Sequence, residues 1–384
     1  MKDSLSNPSQ ARLLFLEVLP TISGGQAVLL KLVPALSPSY TLHALVPGGG
    51  PLARELQRLG VTCHLVPMGN YTLVRKTLSD IFMYALRLPR LVLITRQIIQ
   101  QQQIDLVYAN SARAFVWGTV AAALAGKPIL WHHHNLLADG ITLTILRWMG
   151  HWITVRRIIA VSRVAATQFD ALKNKVTVVP TGVDTHIFRP DQVARARIRT
   201  ELNIPADTLT AGIIGDLIPL KGQHTLIEAA KLGPAQVRYL VIGSPRLDDQ
   251  ESIVYAAHLR EIAQPSIIFA GYRSDLPAVL NCLDILVIAS ERETGPLVML
   301  EALACGVPVI STPVGRAAEL LPPEALFPVG RAPDLAERVQ FWLADSGRLQ
   351  AARSAARACA EKQFDLEQCN SRIRAEIERV VQAT

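Results

Sequence analysis

Two glutamates separated by seven residues form the clearest chemical pattern in the sequence. Glu293 follows the apolar run 284–289, which is typical of a buried strand in a parallel sheet, and Glu301 lies in the helical pattern 296–304. Gly306 is the residue type that commonly follows a helix. Glu293 is therefore predicted in a strand-to-helix loop, where open α/β sheets bind their ligands. Two carboxylates there suit a polyhydroxylated ligand, because each accepts hydrogen bonds from two neighbouring hydroxyls.

Two backbone amides between these glutamates suit an anion. Thr294 and Gly295 are predicted at the N-terminus of the helix that carries Glu301. Free N–H groups and the helix dipole attract phosphate at such a position. The loop thus places a group that binds hydroxyls next to an anion site.

Strand and helix patterns alternate through both halves of the chain. Predicted strands in the first half cover 13–18, 42–46, 61–66, 105–109, 128–132, 157–161 and 176–179. Those in the second half cover 209–215, 239–243, 267–271, 284–289 and 307–311. This alternation predicts two parallel sheets with helices on both faces. The sequence contains no Gly-x-Gly-x-x-Gly, so a nicotinamide or flavin site is poorly supported.

The string 290–309 carries a family resemblance. Its Glu-x7-Glu spacing, continued as Glu-Ala-Leu-Ala-Cys-Gly-Val-Pro-Val, resembles the signature of the retaining nucleotide-sugar glycosyltransferases of family 4, the glycosyl transferases of group 1. The resemblance implies the GT-B fold, in which two Rossmann-like, doubly wound parallel-sheet domains face a central cleft. It also implies that Glu293 contacts hydroxyls of the donor sugar and that Glu301 holds the ribose of the nucleotide.

The resemblance implies a domain plan as well. Residues 1–188 would form an N-terminal acceptor-binding domain, and residues 189–364 a nucleotide-sugar-binding domain. Residues 365–384 would form a C-terminal helix that crosses back to the first domain. The string 181–190 looks like the family's interdomain connection, and its Pro, Gly and Asp residues are typical of turns.

A lysine motif in the second half suits the diphosphate of such a donor. The string from Gly215 to Gly222 is similar to the family's Gly-x5-Lys-Gly pattern and contains Lys221. Breaking the sugar–phosphate bond builds negative charge on the β-phosphate, which cations and fixed dipoles stabilise. The Thr294 and Gly295 amides are further candidates for that role.

Two more features bear on the same phosphate. The loop at Gly24 and Gly25 is a candidate to approach it from the first domain. The sequence departs from the family at Asp216, where members often carry an arginine. An acid there repels phosphate unless it is turned away or paired.

The first half offers a run of three histidines, His132 to His134, after a predicted strand. Side chains alternate along an extended chain, so at most two of the three could share a metal ion. No Cys, Asp or Glu lies close by in the sequence, and no metal site is predicted. His134 matches the family histidine near the donor sugar and is expected to bond a donor hydroxyl or orient the acceptor.

Other residues at strand ends are candidates for ligand contacts. Asn110, Ser111, Arg113 and Arg163 are assigned to the acceptor, although roles in the core or as helix caps fit them equally well. Tyr272 and Arg273 resemble the family's base-binding loop. Main-chain groups usually hold the nucleobase there, so these side chains cannot identify the base.

Composition sets the broad class of the protein. With 384 residues, 50% of them hydrophobic, the chain can fill two globular cores. The stretch 141–159 is too interrupted by charge for a membrane span, and the first apolar run contains Arg12 and Glu17, unlike a secretory signal. The five cysteines are expected to be free thiols. We therefore expect a cytoplasmic monomer or weak oligomer, either free or peripheral on the inner membrane face.

Charge is divided unevenly along the chain. Residues 1–190 carry 19 Lys and Arg against 8 Asp and Glu, whereas residues 191–384 carry 20 against 24. The basic half favours an anionic membrane or a phosphate-bearing acceptor. With 5% aromatic residues and no zinc-finger spacing, nucleic acid is not an expected partner. The basic stretch 71–100 fits either a lipid interface or an ordinary pair of surface helices.

The predicted function is transfer of a sugar, with retention, from a nucleotide diphospho-sugar to an acceptor hydroxyl. No cofactor or metal is expected. The expected acceptor is a lipid-linked precursor of a polysaccharide or glycolipid of the cell envelope. Two alternatives stay open: a small soluble sugar or sugar phosphate as acceptor, and a catalytically weak nucleotide-sugar-binding or assembly protein, which Asp216 would favour.

Overall fold

The chain folds into two α/β units. The computed structural model describes residues 10–68, 78–137, 140–247 and 249–383, without the side chains of 78–83. Of these, the residues up to 180 and from 369 onward form the first unit, and residues 181–368 form the second. Each is a parallel sheet covered by helices, and the prediction of two doubly wound α/β domains is confirmed.

The first unit is built on a sheet of seven parallel strands. In chain order they are β1 (Arg12–Leu16), β2 (Thr41–Val46), β3 (Thr62–Leu65), β4 (Leu106–Ala109), β5 (Ile129–His133), β6 (Val155–Ala160) and β7 (Val176–Val178). Their order across the sheet is β3-β2-β1-β4-β5-β6-β7. The central strands are continuous apolar runs because both faces of the sheet are buried.

Six helices follow these strands. They are α1 (Gly24–Leu36), α2 (Pro51–Arg58), α3 (Leu78–Gln101), α4 (Ala112–Leu124), α5 (Gly140–Gly150) and α6 (Arg163–Thr167). Alternate residues of β1 point to opposite faces. Leu14 and Leu16 pack with α3, α4 and α5, whereas Leu13 and Phe15 pack with α1 and α2.

The second unit repeats this plan with five parallel strands. They are β8 (Leu209–Ile214), β9 (Val237–Ile242), β10 (Ile267–Gly271), β11 (Ile285–Ile288) and β12 (Val309–Ser311), in the order β10-β9-β8-β11-β12. Its helices are α7 (Gln192–Glu201), α8 (Gln223–Leu232), α9 (Gln250–Ile262), α10 (Leu276–Cys282), α11 (Leu297–Ala304), α12 (Ala317–Leu320), α13 (Ala332–Leu343) and α14 (Ser346–Gln363). Two apolar clusters fill the two sides of the sheet.

The last helix, α15 (Leu366–Gln382), closes the core of the first unit. Ile373, Ile377 and Val380 are buried with residues of α1, α2 and the first sheet. The Asn370 amide donates to the carbonyl of Lys31, 3.0 Å away. The first unit is therefore assembled from both ends of the chain.

All twelve predicted strands are present, with ends shifted by at most two residues. Residues 78–100 of the basic stretch 71–100 lie in the single helix α3, and residues 71–77 lie outside the described part. Within the described residues, no helix is long and apolar enough to cross a membrane.

Candidate functional site

Each sheet reverses its strand order once, and several of the candidate residues follow the strands at that reversal. In the first sheet the reversal lies between β1 and β4, and in the second between β8 and β11. The crevice at the carboxyl ends of such a strand pair is the usual ligand site of an open α/β sheet. Lys221 follows β8 and Glu293 follows β11, while Gly24 follows β1 and Asn110 follows β4.

Lys221 and Glu293 meet directly at the reversal of the second sheet. The lysine Nζ forms an ion pair with Glu293 Oε1, and the Ser290 hydroxyl lies 3.4 Å from the same oxygen. Both side chains are partly buried. The methylene groups of Lys221 lie against Gly215, where an added Cβ would be 3.7 Å from the lysine Cε. The two strongest sequence motifs of the second half thus converge on one ion pair.

Two glycines permit this close assembly. At Gly222 an added Cβ would lie 2.2 Å from the Ala289 carbonyl oxygen, and its φ of +70° also favours glycine. At Gly243, with a φ of +143°, the Cβ would lie 1.9 Å from the Gly215 carbonyl oxygen. The backbones that follow β8, β9 and β11 can therefore approach only while these positions lack side chains.

Asp216, the residue that departs from the family pattern, is paired. Its carboxylate accepts a hydrogen bond of 2.7 Å from Arg246 Nε, and its backbone carbonyl accepts one from Gln223. Arg246 follows β9, the strand beside β8, and its amide is held by Ser252 Oγ at 2.8 Å. An arginine is thus present at this edge of the sheet, supplied by the neighbouring strand.

The helix that carries Glu301 begins slightly later than predicted. α11 starts at Leu297 with Pro296 as its N-cap, and Thr294 and Gly295 directly precede that cap. Proline cannot donate a hydrogen bond, and its conformation is extended. The first helical amides are those of Leu297 and Val298. Glu301 is the fifth residue of this helix and is partly buried.

The two residues predicted in the base-binding loop differ in their side-chain surroundings. The Tyr272 side chain is 75% exposed beyond β10. Arg273 is held in ion pairs with Glu201 and Asp275, which raise its pKa above the usual arginine value. Its side chain therefore ties the loop to α7 and to the start of α10. The Arg273 side chain is thus engaged by carboxylates, whereas the Tyr272 side chain is open to solvent.

In the first unit the strand reversal holds a buried hydrogen-bond network. Asn110 Nδ2 donates to Glu17 Oε1 at 2.5 Å and to the Gly25 carbonyl at 3.1 Å. The second Glu17 oxygen accepts from Gln26 at 2.8 Å. Asn110 Oδ1 lies 2.7 Å from His134 Nε2. The chain Glu17–Asn110–His134 thus links residues beyond β1, β4 and β5.

This network fixes the state of His134. Because the Asn110 amide donates through both contacts of its nitrogen, its oxygen accepts, and His134 Nε2 must carry the proton. Burial, followed by the nearby His133, lowers the pKa of His134 to about 3. At neutral pH the ring is uncharged, and its Nδ1 is a hydrogen-bond acceptor.

The pKa of Glu17 is shifted in the opposite direction, upward. It is fully buried, and desolvation raises its pKa to about 7, although hydrogen bonds from Gln26 and Asn110 oppose the shift. A carboxyl group that titrates near neutrality at a ligand-binding edge is a functional candidate. The position of Glu17, directly after a strand on the side of the loop, is the signal by which the sequence could have identified it.

The other two histidines have separate partners. Tyr108 is 2.6 Å from His132 Nδ1, and Gln168 is 3.0 Å from His133 Nε2. Burial lowers the pKa of both rings. They serve the packing of the first sheet, with His133 set edge-on against Phe169.

The remaining candidates of the first unit lie at or near the starts of helices. Gly24 opens α1, and Gly25 faces the His134 ring, so both belong to a helix start and not to a loop. Ser111 is the N-cap residue of α4, and its buried hydroxyl has no hydrogen-bond partner among the described residues. The Arg113 carbonyl accepts from Tyr84. Arg163 is exposed at the start of α6.

The chain matches two family models that together span most of its length. Residues 22–187 match the model described as Glycosyltransferase Family 4, and residues 194–359 match Glycosyl transferases group 1. The Escherichia coli UDP-Gal:alpha-D-GlcNAc-diphosphoundecaprenol alpha-1,3-galactosyltransferase is 24% identical over 326 residues, covering 79% of this chain and 80% of that protein. The D-inositol 3-phosphate glycosyltransferase of Stackebrandtia nassauensis is 33% identical over 154 residues, 37% of this chain and 34% of that one.

Solved structures share the fold across nearly the whole chain. Anabaena Alr3699/HepE in complex with UDP and glucose has a TM-score of 0.79 at 22% identity and covers 95% of this chain and 99% of its own. A glycosyltransferase from Rickettsia africae has a TM-score of 0.82 at 18% identity, covering 98% and 100%. The expected GT-B fold is confirmed.

Proposed function

This chain belongs to glycosyltransferase family 4, the glycosyl transferases of group 1, and we propose that it transfers a sugar with retention from a nucleotide diphospho-sugar to an acceptor hydroxyl. The observation that carries this proposal is the Lys221–Glu293 ion pair at the strand reversal of the second unit. It combines a cation for a phosphate with a carboxylate for sugar hydroxyls in one place.

The second unit is assigned the donor. Lys221 meets the diphosphate, together with the amides at the start of α11. Glu293 accepts from donor-sugar hydroxyls, and Glu301 holds the ribose. The main chain at Tyr272 and Arg273 receives the base. Lysine and amides then oppose the charge that develops on the leaving group, so the proposal gives no role to a metal ion.

Arg246 is assigned a second phosphate contact. Its pairing with Asp216 supports this, because the acid holds the guanidinium beside the Gly215–Lys221 motif. Both side chains are partly exposed, so Arg246 can turn from the carboxylate to a phosphate without burying a charge. The same pairing accounts for an acid at a position where family members often carry arginine.

The first unit is assigned the acceptor, with His134 beside the reacting sugar. Its neutral ring offers Nδ1 as an acceptor for a donor or acceptor hydroxyl. In the proposed step the bond between the sugar C1 and the phosphate oxygen breaks, and the acceptor oxygen bonds to C1 on the same face. The acceptor proton passes to the leaving phosphate oxygen. The step needs no carboxylate nucleophile, in contrast to retaining glycosidases.

We assign a lipid-linked acceptor in polysaccharide or glycolipid assembly at the cytoplasmic face of the membrane. The basic first half supports this, as does the likeness to an enzyme that acts on a diphosphoundecaprenol-linked sugar. A small soluble acceptor is the second candidate, favoured by the 33% identity to a D-inositol 3-phosphate glycosyltransferase. Asp216 was the reason to consider a non-catalytic binder, and its charge is paired with Arg246.

The test is a donor screen followed by a transfer assay. Nucleotide diphospho-sugars are compared by thermal shift, since a ligand bound only by the folded state raises the melting temperature. The best donor is then incubated with lipid-linked and soluble acceptors, and the anomeric configuration of the product is read by NMR. Donor binding without transfer or hydrolysis would favour the binder, and an inverted product would overturn the retaining mechanism.

A further inference from the structure

The α5 helix exposes large apolar side chains that a folded unit normally buries. Ile141 is 75% exposed, Trp148 62% and Ile145 45%, and Ile153, just beyond the helix, is 78% exposed. We call these four residues the α5 face. Exposed apolar groups that gather in one patch, unlike scattered ones, mark a surface that contacts something apolar.

The helical period places these residues on one side of α5. Within α5, Ile141, Ile145 and Trp148 follow the i, i+4, i+7 spacing of a single helix face, and Ile153 lies three residues beyond the helix end. The rings of Trp148 and Trp152 are in edge-to-face contact at 5.3 Å. Leu146 and Met149 lie on the opposite side and are buried in the core of the first unit. The helix is thus apolar both toward the core and toward the solvent.

The charged residues between positions 140 and 169 are all of one sign. Residues 140–169 contain no Asp or Glu, and Arg147, His151 and Arg156 are exposed there. Lys175 is nearby, because its ammonium donates to the carbonyls of Gly150 and Trp152 at 2.9 Å. The acid that follows in the sequence is Asp170, in a short turn that packs on α5.

The helical layer that contains α5 also exposes apolar and basic side chains on α3. α4 packs between α3 and α5 on one side of the sheet. On α3, Leu86 and Leu93 are each 59% exposed, and Arg90 is exposed between them. Part of the basic stretch 71–100 therefore contributes to the same outer surface as the α5 face.

We propose that the α5 face docks on a lipid bilayer that carries anionic headgroups. Ile and Trp side chains would enter the boundary between headgroups and acyl chains, while the arginines would meet lipid phosphates. Charge decides between this occupant and a second copy of the chain. A symmetric contact would set Arg147 and Arg156 of two copies against each other, whereas an anionic surface complements them.

This inference rests on the proposed function only for the setting, since a lipid-linked acceptor would be presented at the same membrane. The docking itself needs neither a donor nor an acceptor. It can therefore be tested without catalysis, and its failure is distinguishable from failure of the transferase proposal.

The experiment is flotation of the full chain with phosphatidylglycerol–phosphatidylcholine vesicles and with pure phosphatidylcholine vesicles. We expect the protein to float with the anionic vesicles and to bind the neutral ones at least about tenfold more weakly. Ile145→Ser/Trp148→Ser should reduce the binding to anionic vesicles by about tenfold or more. Arg147→Gln/Arg156→Gln should reduce it as well and weaken its dependence on salt.

The matched control is Val193→Ser/Leu247→Ser, which removes two apolar side chains that are 81% and 87% exposed on the second unit. We expect it to bind vesicles like the unaltered protein. Equal flotation of the α5 double variant and this control would overturn the proposal. So would a dimer in sedimentation velocity that the α5 variant dissociates while its vesicle binding is unchanged, because the occupant would then be a second copy.

Hydrolysis of the nucleotide-sugar without vesicles separates the two proposals. We expect the α5 variants to hydrolyse donor at the unaltered rate. Flotation through the α5 face by a protein that turns over no donor would uphold the docking and count against the transferase alone. Normal turnover with no flotation on any vesicle would do the reverse.

Discussion

The two units carry a carboxylate at the same topological position but in different electrostatic surroundings. Each sheet reverses its strand order once, and each reversal holds a carboxylate. In the second unit Glu293 forms an ion pair with Lys221, and both side chains are partly accessible to water. In the first unit Glu17 is buried among amides, and its pKa is raised to about 7.

Burial explains the difference between the two carboxylates. Moving an ion from water into a protein interior is strongly unfavourable unless an opposite charge accompanies it. Glu17 has amide partners only, and it is driven toward its neutral form. Glu293 retains its solvent contact and a lysine. The two strand reversals therefore hold carboxylates in different surroundings, one in an ion pair and one among amides.

The largest expected effect is at the charged site. Lys221→Met removes the cation assigned to the leaving diphosphate, and we expect turnover to fall by about 10²–10³-fold. The rate of donor hydrolysis or transfer measures this. Lys231→Met, at an exposed lysine on α8, is the control and should leave the rate unchanged. A Lys221→Met rate within threefold of the original would remove Lys221 from the leaving-group site.

The second prediction concerns the neutral site and the pH dependence of stability. The folded-state pKa of Glu17 lies above its ordinary value of 4.5, so its contribution is complete below pH 4.5 and is lost as the pH rises through 7. The total change is on the order of 3 kcal/mol. Glu17→Gln should abolish this change.

The histidines change the pH dependence of stability in the opposite direction, so their effect must be separated from that of Glu17. The folded-state pKa of His134 is lowered from 6.5 to about 3, so its contribution is lost as the pH falls from 6.5. The difference between the urea unfolding free energies of the original protein and Glu17→Gln, measured from pH 4.5 to 8.5, isolates the carboxyl group. Glu337→Gln, at an exposed site on α13, is the control. A difference that is independent of pH would mean that Glu17 is ionised in the folded protein.

The third prediction separates donor binding from chemistry at the second unit. Glu301→Ala removes the carboxylate assigned to the ribose, and we expect donor affinity to fall by about ten- to a hundredfold. Thermal shift with UDP measures the loss, provided that the donor screen selects a uridine nucleotide. Glu337→Ala serves as the control. An unchanged shift would place the ribose elsewhere.

The smallest expected effect is at Arg246. Arg246→Ala should weaken donor binding by roughly five- to tenfold, because an exposed cation contributes about 1 kcal/mol. Asp216→Arg combined with Arg246→Ala should restore the affinity, since it returns an arginine to the position that family members often use. Titration with the donor measures both variants. If the double variant binds no better than Arg246→Ala, the two positions do not exchange their roles.

The sequence predicted the charged site better than the neutral one. Glu293 and Lys221 lie in long motifs at strand ends, and both motifs resemble those of a known family. Glu17 belongs to no motif, and in the sequence it is only a polar residue that interrupts an apolar run. Its character arises from Gln26 and Asn110, which only the folded chain brings to it.

Contacts between segments that are distant in the sequence account for the other differences. The proximity of Arg246 to Asp216 depends on β8 and β9 lying side by side, which spacing along the chain does not reveal. Arg273 was predicted in the base-binding loop, but α7 supplies a glutamate that engages its side chain. The stretch 141–159 reads as an interrupted apolar run, and only the fold distinguishes its buried side from its exposed one.

The return of α15 to the first unit has a consequence for synthesis on the ribosome. Ile373, Ile377 and Val380 complete an apolar layer whose other members, from Leu13 to Val179, are translated well before them. The amino-terminal half therefore emerges with part of its core uncovered, and it stays so until α15 has been synthesised. The second unit contains all of its own strands and can fold during that interval. A nascent chain of this protein would finish its later half first.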